Sequence, residues 1–212
     1  MVPFSHLAAF AVTAVVVIAI PGPSVLFTIS RALTVGRRSA LATVGGNTVG
    51  LLGQVIATAV GMGALVEASA IAYSTVKYVG AAYIVWLGVQ AIRHRRAMAD
   101  ALARRVPAVS ALRAARDGFV VGVMNPKTIV VLVTVMPAYA VPSQGHLPLQ
   151  MLLLGLLLPL VAVVLDSVWA FAAGSAREWF AGSPRRMATI GGTGGLVMIG
   201  LGASIAATGR SD

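Results

Sequence analysis

An all-α membrane protein with six crossings and two interrupted helices is the fold this sequence predicts, on three observations. The residues are 58% hydrophobic and only 10% charged, with a mean hydropathy of +0.90, whereas soluble domains carry about 25% charged residues. The 212 residues divide into apolar runs of about 20 residues, the length that crosses a bilayer core. Two runs contain interruptions deep inside them, Pro21-Gly22-Pro23-Ser24 and Asn125-Pro126-Lys127. Proline removes a backbone donor and clashes with the preceding turn, and glycine adds freedom, so both helices should break there. Within a membrane a broken helix survives only where protein or a wet cavity satisfies the freed groups. Paired interruptions in two halves of a chain point to a transporter's binding site.

One domain, 1–212, is expected. The first span runs from about 7 to 29, with its break toward the far end, and Arg31, Arg37 and Arg38 follow it. The second, about 40–66, contains Gly46-x-x-x-Gly50, which permits close helix approach. At 100° per residue Thr43, Asn47, Gly50, Gln54, Thr58 and Gly61 share one stripe, either interhelical hydrogen-bonding glue or the wall of a polar cavity. The third span covers about 71–92. Lys77 near its start shares a face with Ala81, Ile84 and Gly88 and either snorkels to the headgroups or joins the site, with snorkelling favoured. The segment 93–117 carries seven arginines against Asp100 and Asp117. It reads as a cytoplasmic loop whose second half can form a short interfacial helix. The fourth span, about 118–139, holds Asn125-Pro126-Lys127. The fifth, about 147–173, holds Pro159 and Asp166, and the sixth covers about 187–208.

Composition excludes several function classes. The net charge of +10 comes from arginines between apolar runs, not from an aromatic-interleaved patch, so nucleic acid is not a partner. There is no cysteine, hence no disulfide and no thiolate metal site, and neither a metal nor a cofactor is expected. Lys127-Thr128 follows proline, not the glycine of a phosphate-binding loop. The first span lacks the positive flank of a signal peptide and reads as retained. His6, His94 and His146 fall at or beyond span ends, so no base stands near Ser24 or Ser167, and Asp166 has no carboxylate mate at its depth. An enzyme is therefore not expected. A passive channel and a membrane-embedded enzyme are the rival readings.

Loop cations number three after the first span, seven after the third and three after the fifth, which places these loops in the cytoplasm and both termini outside. The two three-span halves then have opposite orientation, the topology of an inverted repeat. Pro23 lies eight residues before Arg31, Lys127 ten after Asp117 and Asp166 eleven before Arg177, roughly 12–16 Å from the cytoplasmic edge at helical rise. All three positions arrive near the midplane of a core about 30 Å thick. An ionisable group there costs about 2.5–3.5 kcal/mol on insertion scales and must find a partner, so Lys127 and Asp166 are expected close together, as a binding pair or as a structural ion pair. Freed backbone donors and Lys127 suit a carboxylate, and freed acceptors with Asp166 suit an ammonium group or a proton. A zwitterionic amino acid carries both charges on one carbon. Asp166 could also alternate between protonated and ionised states and couple transport to a proton gradient.

The motifs PGPSVLFTISRALTVGRRSALATVGGNTVG at 21–50, VKYVGAAYIVWLGVQAIR at 76–93 and NPKTIVVLVTVMP at 125–137 together resemble the LysE/RhtB family of bacterial amino-acid exporters. The resemblance implies a six-span secondary transporter of the bacterial cell membrane that exports amino acids or close derivatives by proton antiport. Pro21, Gly22, Pro23, Gly46, Gly50, Lys77, Asn125, Pro126, Lys127 and Asp166 carry over. Ser24, Asn47 and Gln54 join the candidate substrate-binding set from the residue pattern. Valines stand where the family usually has aromatics after Asn125-Pro126-Lys127, which leaves substrate size open. Gly118-x-x-x-Gly122 and Gly191-x-x-x-Gly195 permit close pairing, within the bundle or in a homo-oligomer.

Overall fold

The computed structural model describes residues 2–68, 109–175 and 183–207, with residues 75, 78, 79, 81–83, 85, 86, 88–90, 92 and 93 between them. Among the described residues the chain is helical and has no strand. Helix α1, Phe4–Ala19, ends where Pro21 cannot supply the next amide, and α2, Pro23–Thr34, begins after an extended Ile20–Gly22 link. The two are bent by 49°. Gly36, at φ +121°, turns the chain into the long α3, Arg37–Ala68. Helix α4, Ala111–Val123, is followed by α5, Pro126–Val130, with Asn125 as its N-cap. A π-helical turn over Val131–Val135 and a 3-10 turn over Met136–Tyr139 continue this span. Helices α6, Leu147–Gly155, and α7, Leu157–Ser175, are offset at Leu156, because Pro159 leaves the Gly155 carbonyl without its helical donor. Helix α8 is Pro184–Ala207.

Three segments, Arg37–Gly61, Ala111–Tyr139 and Leu147–Ser175, are long and apolar enough to cross a membrane, and the bent α1–α2 pair makes a fourth. The sequence pattern allows a short interfacial helix in the second half of the loop 93–117. Instead, residues from Ala111 onward are the opening turns of α4, started by the Ser110 side chain, which accepts from the Arg113 amide. Nearly half of the third span, including Lys77, and residues 94–108 of the loop 93–117 lie outside the described residues.

Helices α3 and α4 form the tightest pair. The glycines of Gly46-x-x-x-Gly50 and Gly118-x-x-x-Gly122 face each other's backbone. A Cβ at Gly50 would lie 2.5 Å from the Phe119 carbonyl oxygen, and one at Gly46 or Gly118 would fall still closer to the carbonyls of Ala115 and Thr43. Small residues let two backbones approach where lipid supplies no hydrophobic drive. Gly118-x-x-x-Gly122 is thus consumed inside the bundle and is not free for a homo-oligomer.

Three apolar clusters fill the described bundle, one of them joining Val17, Ile20, Val130 and Val131 beside the first break, and the other two lie on either side of a polar layer. Of these two, one joins Phe10, Ile18, Leu51, Leu132, Met151 and Ala162 with their neighbours. The other, on the arginine side, joins Val25, Ile29, Ala40, Val44, Ala170 and Ala188. The residues between them in sequence, Gly22 and Ser24 after Ile18, Asn47 between Val44 and Leu51, and Asp166 between Ala162 and Ala170, form a polar layer. Polar contacts close both ends. Arg31 and Asp117 pair at 2.7 Å and Arg37 donates to Ser175 on one side. On the other, His6 meets the Tyr139 carbonyl and Thr13 the Tyr139 hydroxyl.

Candidate functional site

The breaks build the site. In a continuous helix the Val17 carbonyl would accept from residue 21, but Pro21 has no N–H, so that oxygen is orphaned, and the Ile20 carbonyl lies in the extended link beyond the helix. Lys127 Nζ donates to both, at 2.9 Å to Val17 and 2.8 Å to Ile20. Gly22 makes room for it: a Cβ there would lie 3.2 Å from Nζ and Cδ. The ammonium thus caps the negative end of α1.

The second break aims the lysine. Asn125 Oδ1 accepts from the Lys127 amide at 3.2 Å, which takes that amide away from the Val123 carbonyl. Gln54 repairs the loss. Its amide nitrogen donates to the Val123 carbonyl at 2.7 Å, and its oxygen accepts from the Thr128 hydroxyl at 2.7 Å.

Across the polar layer a second chain of hydrogen bonds runs from α2 through α3 to α7. Ser24 donates to Asn47 Oδ1 at 2.7 Å, and Asn47 Nδ2 donates to Asp166 Oδ2 at 3.1 Å. Asp166 is 2% exposed, and its other oxygen, Oδ1, has no partner among the described residues.

Lys127 and Asp166 line one cavity of about 20 Å³ together with Gly22, Ser24, Asn47 and Asn125, which is room for about one water molecule. Ile18, Leu51 and Ala162 supply its apolar wall. The expected ion pair takes a different form. Each charge feels the other through space, but Lys127 is bonded to carbonyls and Asp166 to an amide, because the orphaned oxygens of α1 lie within the lysine's reach. Among the described residues the direct ion pair is Arg31–Asp117, on the arginine side.

Other candidates are placed differently. Pro21 and Pro126 are half-buried and Pro23 is exposed. These prolines make the breaks and do not line the cavity. Gln54 is also absent from the cavity wall, its amide being committed to the α4–α5 break. The polar stripe of α3 therefore divides: Asn47 faces the cavity, Thr43 and Gln54 hold α4 and its break, and Gly61 is exposed. Lys77 lies outside the described residues, although Ala81, four residues later in sequence, is buried with Val17, Ile20 and Val131. Thr128, absent from the candidate set drawn from the sequence, lines the cavity. Its position directly after Lys127 was the available signal. Among the described residues no cluster of acidic and histidine side chains could hold a metal ion.

The LysE type translocator family model matches residues 15–209. The chain is 31% identical over 186 residues to the homoserine/homoserine lactone efflux protein of Salmonella typhimurium, covering 88% of each. It is 35% identical over 163 residues to an uncharacterized membrane protein of Vibrio cholerae, covering 77% of this chain and 76% of that one. No solved structure matches it.

Proposed function

Because the chain belongs to the LysE type translocator family, we propose that it is a secondary exporter of small α-amino acids from the cytoplasm of a bacterium, working by proton-coupled alternating access. One observation carries this reading. Among the described residues, the wall of a single buried cavity carries one cation and one anion, each with a hydrogen-bonding position to spare. A lysine ammonium has three protons, and two of those on Lys127 are engaged. Asp166 Oδ1 is the acceptor left over. A zwitterion matches both, its carboxylate at Lys127 and its ammonium at Asp166. The N-terminal end of α2 adds its positive pole on the carboxylate side, with Ser24 and Val25 at the cavity.

The Salmonella relative's name gives two molecules, homoserine and its lactone. They share an α-ammonium and a carbonyl oxygen and differ in whether the carboxylate is free. Asp166 then reads the group common to both, and Lys127 takes either oxygen. The small apolar wall of Ile18, Leu51 and Ala162 favours a short side chain.

A cavity of about 20 Å³ is far below the roughly 300 Å³ and above typical of ligand sites, so substrate must open a way through the apolar packing on one side of the polar layer or the other. That is alternating access around a fixed polar layer. In this reading the chain crosses six times, both termini lie outside, and each half opens with a proline-broken helix. Asp166 holds either a proton or the substrate ammonium, and this exclusivity makes the exchange an antiport.

The test uses inside-out vesicles. Labelled homoserine should accumulate when the vesicles are energised, and a protonophore or Asp166→Asn should abolish accumulation. Flux that only equilibrates would indicate a channel and overturn the coupled mechanism.

A further inference from the structure

Half-helix ends with freed carbonyls are the groups with which broken-helix transporters bind coupling metal ions. Here the Val17 and Ile20 oxygens form such a pair, at the negative end of a 16-residue helix. A protein cation already holds both, at 2.9 and 2.8 Å. We propose that Lys127 is a tethered counter-cation: its ammonium fills the carbonyl site at the α1–α2 break in place of a metal ion, so this protein needs neither sodium nor potassium.

Three features support the assignment. Lys127 is 3% exposed, and a charge so buried must be paired or neutralised. The carbonyl oxygen of Val17 was freed by Pro21 and is met by this side chain. Gly22 keeps open the space through which the lysine arrives, since a Cβ would stand 3.2 Å from Nζ. The lysine comes from α5, more than a hundred residues away. Its charge therefore ties the two halves of the chain together where a free ion would have to be captured in every cycle. The inference bears on the exporter reading only in predicting transport without metal cations. Occupancy of the carbonyl site does not depend on what is transported.

The experiment measures thermal unfolding of the purified full chain, which involves no substrate. Wild type is compared in sodium, potassium and choline salts at constant ionic strength. Lys127→Ala is titrated with n-propylammonium, which restores the three methylenes and the ammonium that the substitution removes, and with n-propanol as the neutral control. The expected result is an unchanged wild-type midpoint in all three salts, and a saturable rise of about 2–4 °C for Lys127→Ala with n-propylammonium alone. Equal effects of n-propanol and n-propylammonium would show that the site takes bulk, not charge, and would overturn the proposal. If Lys127→Ala does not fold, the wild-type arm decides by itself. A midpoint that falls in choline overturns the proposal, and an unchanged one supports it.

Discussion

At the first break the chain bends by 49° and leaves an extended link between α1 and α2, while at the second, α4 and α5 run on within one segment, Ala111–Tyr139. The carbonyls freed at the first are met by an ammonium from the other half of the chain. Those at the second are met nearby and without charge. Asn125 caps α5, the Gly122 carbonyl accepts from the Asn125 amide, and Gln54 from α3 accepts and donates across the gap. The difference assigns different work to two similar interruptions. The neutral repair fixes a direction, that of Lys127. The charged repair leaves a buried cation beside a cavity, with a further proton to offer a ligand.

This contrast ranks the consequences of breaking each repair. Lys127→Met should cost most, about 3–5 kcal/mol, because it strands Asp166 as an uncompensated buried charge and frees two carbonyls. Chemical unfolding followed by tryptophan fluorescence would register it. A loss no larger than that of Gln54→Leu would erase the distinction between the breaks.

Gly122→Ala comes next, at about 3 kcal/mol. Its methyl would lie 3.0 Å from both Asn47 Cα and Oδ1 and closer still to the Asn47 carbonyl, where backbone must move. By displacing Asn47 it should also weaken substrate binding, measurable as a raised half-saturation for transport.

Gln54→Leu should cost about 2 kcal/mol, the penalty for leaving the Val123 carbonyl unmet. Since Asn125 still caps α5, transport should fall in rate and keep the proton dependence proposed for the wild type. Complete uncoupling would show that Gln54 belongs to the binding machinery after all.

Gly22→Ala should cost least, about 1 kcal/mol, because the atoms its methyl meets first, from 3.2 Å, belong to the Lys127 side chain and not to backbone. The same methyl added beside the two breaks, at Gly122 and at Gly22, thus separates backbone contact from side-chain contact. A Gly22→Ala loss equal to that of Gly122→Ala would mean that Lys127 cannot shift.

Much of this arrangement was legible in the chain because its causes are local. Pro21 and Pro126 lack an N–H wherever they sit, so the breaks follow from identity alone. The two glycine motifs that interlock α3 with α4 are likewise a matter of missing side chains. Apolar run length marks out the three segments and the bent pair long enough to cross a membrane, and Lys127 and Asp166, at similar distances from the arginines in sequence, line one cavity.

The partners were not legible. Asn47 and Gln54 have the same chemistry on the same stripe, and only the position of α4 sends one to Asp166 and the other to Val123. Pro23 reads like Pro21, yet it opens α2 on an exposed face. Opposite charges at one depth attract, which makes Lys127 the natural mate for Asp166 on sequence grounds. The packed bundle instead brought the orphaned oxygens of α1 within hydrogen-bonding distance. A sequence states which backbone groups lose their local partner. Which side chain reaches them is decided by how helices a hundred residues apart come together, since hydrogen bonds act only over about 3 Å.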